Sequence, residues 1–371
     1  MASGTLSTRR STACDAGRPP RPAPRVGSLP RGQRDAITDV PGVTVGHCTL
    51  AEGDVQTGVT VVRPHGSDPY RDRVPAAGVV LNGFGKSVGL MQVEELGVLE
   101  TPIALTNTFA VPAVAAAQIR AAIADNPEIG RVLPTLNPLV FECNDGYLND
   151  IQRMAVGASH YREALDAAGA DVAEGSVGAG RGMSSFGLKG GIGTASRRVR
   201  TRTRGRFTLG TLVLSNFGKP SQIRVCGTPL AAHLRADADE PDSAAEAPEK
   251  GSIIMIVATD APLDARQLRR LALRAGAGLA RTGSVFGHGS GDIALAFSTA
   301  YTVPHDPARP MPALALLHDT ELDPLFEATA DGIEQAIIHA LWRAEAVMGR
   351  DGHRRRALAD LLPGWADILG A

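Results

Sequence analysis

Cysteine is scarce. The four in 371 residues, Cys14, Cys48, Cys143 and Cys226, are widely scattered. No CxxC pair occurs, so neither a zinc site nor a disulfide framework is suggested, and the thiols read as ordinary buried groups of a reducing compartment. Aromatic residues make up 4% of the chain, too few for a base-stacking platform. Charge of one sign is also missing. Lys and Arg number 38 against 39 Asp and Glu, a net charge of −1, so there is no basic surplus for a phosphate backbone and no nucleic-acid partner is expected. No uncharged apolar run reaches the ~18 residues of a membrane span, and no membrane association is expected.

What is present is a 43% hydrophobic chain with 42 glycines. The glycine share exceeds the usual ~7%, which implies many tight turns and close backbone approaches. Residues 1–34 carry seven arginines, five prolines and a single acid, Asp15. With no apolar segment for a secretory signal, they read as a disordered extension, and a cytoplasmic location is expected. Residues 35–371 read as a single catalytic domain. Alternation over 37–49 and 58–63 predicts two strands, and further strands are expected at 77–81, 102–108, 253–258 and 293–297. Helices are expected at 88–96, 111–124, 151–168, 263–280 and 322–348, and a hairpin at 199–213. The six arginines of 197–206 read either as an anion patch or as a solvated hairpin face. Residues 236–250, acidic and without apolar periodicity, read as an exposed loop. The class is mixed α/β (α+β).

Several local motifs fail. Gly83-Phe84-Gly85-Lys86-Ser87 resembles the end of a phosphate loop, but that loop needs Gly at position 80, which is Val80. Gly289-Ser290-Gly291 lacks the flanking glycines of a nucleophile elbow. His47, His65 and His288 have no partner at ligand spacing, so no metal is expected.

The informative pair is Gly251-Ser252, where the charged loop ends and a buried strand begins. If the bond between them is cut, Ser252 gains an α-amine of pKa ~8 beside its own hydroxyl, and the amine can act as that hydroxyl's base. Self-cleavage would proceed by attack of the hydroxyl on the Gly251 carbonyl, giving an ester that water opens. Taken alone, Gly-Ser before a strand is common and has a plain structural reading.

The chain also contains Ile37-Thr38-Asp39-Val40-Pro41-Gly42-Val43, Leu81-Asn82-Gly83-Phe84-Gly85-Lys86-Ser87, Thr106-Asn107-Thr108, Asn144-Asp145-Gly146-Tyr147-Leu148-Asn149-Asp150, Lys189-Gly190-Gly191-Ile192-Gly193-Thr194-Ala195-Ser196-Arg197, Gly251-Ser252-Ile253-Ile254 and Gly289-Ser290-Gly291-Asp292. With these segments it resembles the DmpA-type self-processing aminopeptidases, which include the L-aminopeptidase/D-amidase-esterases and β-peptidyl aminopeptidases. The resemblance covers nearly everything beyond the tail. It implies a four-layer α/β/β/α sandwich of the DmpA/ornithine acetyltransferase type, cleaved into residues 1–251 and 252–371 and assembled as a homotetramer. It implies a serine aminopeptidase acting on small peptides, amides or esters through an aminoacyl ester on Ser252, with no cofactor. Asn216 matches the oxyanion-hole amide, Ser290 and Asp292 the polar pair beside the nucleophile's amine, and Tyr147 a phenol that donates to the intermediate. Glu142 is a candidate partner for the substrate ammonium. Each has a plainer reading: Asn216 as a turn residue, Tyr147 as core, Glu142 as a salt-bridge partner, Asp292 as a strand cap. Two other functions fit the same fold. One is a processing-dead scaffold. The other is an ornithine acetyltransferase-like acyl transferase, a branch that uses Thr as nucleophile where this chain has Ser252.

Overall fold

The computed structural model describes residues 22–234 and 251–369. Its main elements, in chain order, are β1 (Thr44–Glu52), β2 (Val55–Arg63), β3 (Asp72–Gly83), α1 (Leu90–Leu96), β4 (Ile103–Asn107), α2 (Val111–Asp125), β5 (Leu139–Cys143), α3 (Ala158–Asp166), β6 (Gly191–Thr201), β7 (Gly205–Asn216), β8 (Ser252–Thr259), α4 (Ala265–Arg281), β9 (Gly291–Ser298) and α5 (Asp323–Trp342). A four-stranded sheet has the order β1-β2-β4-β5. The larger sheet runs β3-β9-β8-β7-β6, extended beyond β3 by Val303–Pro304.

Strand β8 shows why the sheets stack. All eight of its residues are buried, so both of its faces must be covered. Ile254, Ile256 and Ala258 enter the core between the sheets, with Leu212 and Leu214 of β7 and Val45, Val62, Leu105 and Phe141 of the small sheet. Ile253, Met255 and Val257 face the other way, against Leu268, Leu271 and Ala275 of α4 and Ile333 and Ile337 of α5. The outer face of the small sheet is closed by Val114 and Ala117 of α2 and Tyr161 and Ala164 of α3. The result is the expected α/β/β/α order: α2 and α3, small sheet, large sheet, α4 and α5. Glycine lets the layers approach. A Cβ at Gly193 would run into the backbone of Ala336, so α5 rests directly on the main chain of β6.

Some expectations shift. The alternating stretch from Ile37 begins as a single 3-10 turn, Ile37–Asp39, whose Ile37 N–H donates to Thr194 Oγ1 at 2.7 Å. The helix expected over 151–168 is confined to α3, after a 3-10 turn at Ile151–Arg153. The helix expected to reach 348 stops at Trp342. In the arginine-rich hairpin, Arg197 is buried against Asp35 at 3.2 Å, while Arg198, Arg200, Arg202, Arg204 and Arg206 are exposed. Residues 1–21 of the expected tail and the acidic loop at 236–250 lie outside the described residues. Residues 22–34, grouped with the tail on composition, instead lie on the body. Val26 is buried, its N–H donates to Gln335 Oε1 at 2.8 Å, and its carbonyl accepts from Arg197 at 2.9 Å.

Candidate active site

Three strand ends meet at Ser252. It is the first residue of β8, and its ladder neighbours are Asn216, the last residue of antiparallel β7, and Gly291, the first residue of parallel β9. Ser252 is buried, and the Gly291 N–H donates to its Oγ at 3.1 Å. Gly251 passes so close to the backbone of 216–217 that a Cβ there would collide with the Asn216 carbonyl and stand 2.5 Å from Cα of Phe217. Only glycine fits before Ser252. The Gly251–Ser252 bond therefore lies beside Asn216 for a packing reason.

The Asn216 side chain is held at both ends. Its Oδ1 accepts from Ser184 N–H at 2.8 Å, and its Nδ2 donates to the Asn144 carbonyl at 2.9 Å. A carboxamide nitrogen carries two hydrogens, so a second donor remains for an incoming oxygen. Asn144 also ties this corner to the end of β5, where Glu142 lies, and to the loop that follows, which carries Tyr147.

Glu142 is buried near the end of β5. Its Oε1 accepts from the Lys86 backbone N–H at 2.8 Å, and its Oε2 accepts from the Thr108 hydroxyl. A Cβ built on Gly85 would stand 3.7 Å from Glu142 Oε1 and 4.0 Å from Cα of Gly291. No more than the sum of those two distances separates the carboxylate from the residue that holds the Ser252 hydroxyl. The Lys86 side chain points elsewhere, its ammonium 4.3 Å above the exposed Phe84 ring. The surroundings of Glu142 are negative. Burial first, then the carboxylates of Glu142 and Asp292, push the neighbouring Cys143 thiol well up. Asp145 adds to this charge only above pH ~7, because burial raises it to about 7 against hydrogen bonds from Thr57 and Asn149 that pull it down. A small cation suits such a corner.

Ser290 and Asp292 flank Gly291. The Ser290 hydroxyl donates to Asp292 Oδ1 at 2.6 Å, and both residues are buried. Asp292 stands opposite Ile253 in the ladder, one step along from the nucleophile candidate. Tyr147 lies further out and is gripped by the C-terminal part of the chain. His353 stacks on it at 4.6 Å between centroids, and the Arg355 guanidinium sits 3.6 Å from its ring centroid. Arg355 Nε also donates to Ser184 Oγ at 3.3 Å, which links Tyr147 back to the residue that holds Asn216.

The structure thus gathers Gly251, Ser252, Asn216, Ser290 and Asp292 at one end of the large sheet, with Glu142 next to them and Tyr147 tied in through Asn144 and Ser184. Thr108, Ser184, Lys189, His353 and Arg355 were not singled out by sequence for this corner. The contacts of Thr108, Ser184, His353 and Arg355 are between residues far apart in the chain, with no local spacing to reveal them. Among the described residues, no three His, Cys, Asp or Glu side chains group as a metal site would require, and no helix is long and apolar enough to cross a membrane.

Comparison with known proteins gives the family and the fold. Residues 35–355 match the model of peptidase family S58. The chain is 37% identical over 337 residues to the beta-peptidyl aminopeptidase BapA of Sphingosinicella xenopeptidilytica, covering 86% of this chain and 83% of that protein. Among solved structures, a protein of Pyrococcus horikoshii OT3 superposes with a TM-score of 0.87 at 44% identity, covering 93% of this chain and 97% of that one. The L-aminopeptidase D-Ala-esterase/amidase of Ochrobactrum anthropi, described as a prototype serine aminopeptidase with a variant Ntn hydrolase fold, superposes at 0.84 with 34% identity, covering 93% and 98%.

Proposed function

The chain belongs to peptidase family S58 and is an N-terminal-nucleophile aminopeptidase, and we propose that it creates its own nucleophile by cutting between Gly251 and Ser252. The observation that carries this reading is the meeting of Ser252, Asn216 and Gly291 at adjacent strand ends, with a residue before Ser252 that can only be glycine. The Ser252 hydroxyl adds to the Gly251 carbonyl, the C–N bond breaks, and the resulting ester is opened by water. This frees the Ser252 amine.

In turnover, that amine takes the hydroxyl proton as Oγ attacks the carbonyl of the substrate's N-terminal residue. The second Nδ2 hydrogen of Asn216 and a backbone N–H receive the developing oxyanion, a role in which one donor is worth about 3 kcal/mol. The amine passes its proton to the leaving group, and water releases the acyl group from Ser252. Glu142 pairs with the substrate ammonium, Tyr147 donates to the intermediate, and Ser290 and Asp292 form the polar pair that serves the Ser252 amine. Short peptides, amides and esters are the proposed substrates. A homotetramer of cleaved protomers in the cytoplasm is the proposed form.

Intact mass of purified wild type beside Ser252→Ala tests the reading. Wild type should give fragments of 251 and 120 residues, ~26 and ~12.5 kDa of the 38.6 kDa chain, the smaller beginning at Ser252. Ser252→Ala should remain whole and inactive. An uncut, active wild type would remove the proposed nucleophile.

A further inference from the structure

Lys189 is fully buried, lies outside the residues assigned above, and closes a two-residue turn. Ser184–Ser185 pairs with Leu188–Lys189, joined by Phe186 and Gly187 at φ +55° and +75°, the backbone of a tight hairpin. Its Nζ donates to three carbonyls, those of Gly180, Met183 and Gly190, each at 2.8 Å. Burial and the nearby Arg181 draw its pKa well below the ordinary lysine value, while Asp145 raises it. The geometry decides the charge state. Three carbonyl acceptors need three N–H donors, which only the ammonium has; a neutral amine would turn its lone pair on one of them.

One of those carbonyls has a second consequence. The Met183 C=O and the Ser184 N–H belong to the same peptide group. The carbonyl end takes Lys189 Nζ at 2.8 Å and the Gly190 N–H at 3.0 Å. The N–H end donates to Asn216 Oδ1 at 2.8 Å. A cation on a peptide oxygen draws electron density from its nitrogen and makes its N–H a stronger donor. A stronger donor on a carboxamide oxygen does the same to that amide's own N–H groups. Hydrogen bonds in such chains strengthen one another by ~10–30% per bond.

The geometry points to Lys189 as a positioning residue that polarises the Asn216 amide through the Met183–Ser184 peptide, strengthening and aiming its remaining N–H toward the oxyanion. The inference rests on the proposed oxyanion role of Asn216. Loss of the whole donor costs 10²–10³ in kcat, so loss of a relay that supplies ~10–30% of its strength is expected to cost about two- to eightfold.

The test compares Lys189→Met, Asn216→Ala and the double variant, each as cleaved enzyme, on an alanyl p-nitroanilide. It also measures affinity for 1-aminoethylboronic acid, which places an oxyanion-like oxygen on Ser252, and for free alanine, which does not. In Lys189→Met, kcat, boronate affinity and the rate of self-cleavage should fall by a common factor, with KM and alanine binding unchanged, and the effect should vanish in the Asn216→Ala background. A matching loss of alanine binding, or an undiminished loss in the Asn216→Ala background, would show a merely structural lysine and overturn the relay. If Asn216→Ala itself leaves kcat and boronate affinity intact, the oxyanion assignment fails along with the relay, an outcome distinct from failure of the relay alone. Should Lys189→Met not fold, nitrogen-15 NMR of lysine-labelled wild type still decides. A slowly exchanging ammonium signal at pH 7 is required, and a neutral amine refutes the relay.

Discussion

Replacing Glu142 with Gln changes one charge and almost no volume. The amide oxygen can still accept from Lys86 N–H, and the Thr108 hydroxyl can turn from donor to acceptor toward the new NH₂, so the end of β5 should keep its place. What changes is the attraction for a substrate ammonium. Two unit charges ~4 Å apart gain about 4 kcal/mol at an effective dielectric of ~20. The neutral amide retains an ordinary hydrogen bond of about 1 kcal/mol. The remaining ~3 kcal/mol predicts a fall of roughly a hundredfold in kcat/KM for substrates with a free amine. The assay pairs alanyl p-nitrophenyl ester with propionyl p-nitrophenyl ester, which has the same acyl skeleton without the amine. Glu142→Gln should lose about a hundredfold on the first and little on the second. The wild-type profile should also decline above pH ~8 as the substrate ammonium deprotonates, and the variant should lack that decline. A variant within threefold of wild type on the alanyl ester, or equally impaired on both esters, would place the amine anchor elsewhere.

Tyr147→Phe keeps the ring between His353 and Arg355 and removes only the hydroxyl; kcat should fall about tenfold or more, and an unaltered kcat would make the phenol structural. Asp145 is raised to about 7 in the folded chain from 3.8. The folded state therefore holds a proton that the unfolded state releases above pH ~4, and stability should decline as pH rises from ~4 to ~7, then level off. The decline attributable to this residue is on the order of 4 kcal/mol over the whole range, of which about 3 kcal/mol falls between pH 5 and pH 8; urea titrations at those two pH values should show that part in wild type and a reduced difference in Asp145→Asn. Gly193→Ala drives a methyl into the α5 backbone at Ala336. It should cost roughly 1–3 kcal/mol or more, read as a lower urea midpoint, whereas Gly66→Ala, with open space around it and no left-handed backbone to strain, should leave the midpoint near that of wild type.

The parts of the fold legible in sequence are those whose burial is written locally. The Ile253–Ala258 run announced a strand covered on both faces because every position is apolar, and β8 is that strand. Helix α4 was visible in its spacing, with Leu268, Leu271, Ala272, Ala275 and Leu279 on one face and all buried. The stretch from Ile37 misled because its alternation is shared by two unlike pieces. Ile37 and Val40 are anchored by a 3-10 turn against β6, and only from Thr44 does the chain enter a sheet. The end of α5 was overrun for a similar reason. Apolar residues continue past Trp342, but Ala344 and Val347 are buried through a turn and the short Val347–Met348 strand rather than through further helix.

The candidate site divides along the same line. Ser252 and Gly251 stood out because a loop-to-strand boundary and a glycine are local signals. Asn216 carries no such local signal and is singled out only by the family resemblance. Its importance comes from the ladder, since β7 runs antiparallel to β8 in a register that ends both strands at the same level. A one-residue slip in that pairing would turn every side chain of β7 to the opposite face. Asn216 would then leave Ser184 and Asn144, and the buried Leu212 and Leu214 would exchange cores with Val213. The hydrophobic sorting of β7 thus protects the position of a polar residue at its end. Chemistry at Ser252 depends on which leucines face which core, a dependence no single motif in the chain expresses.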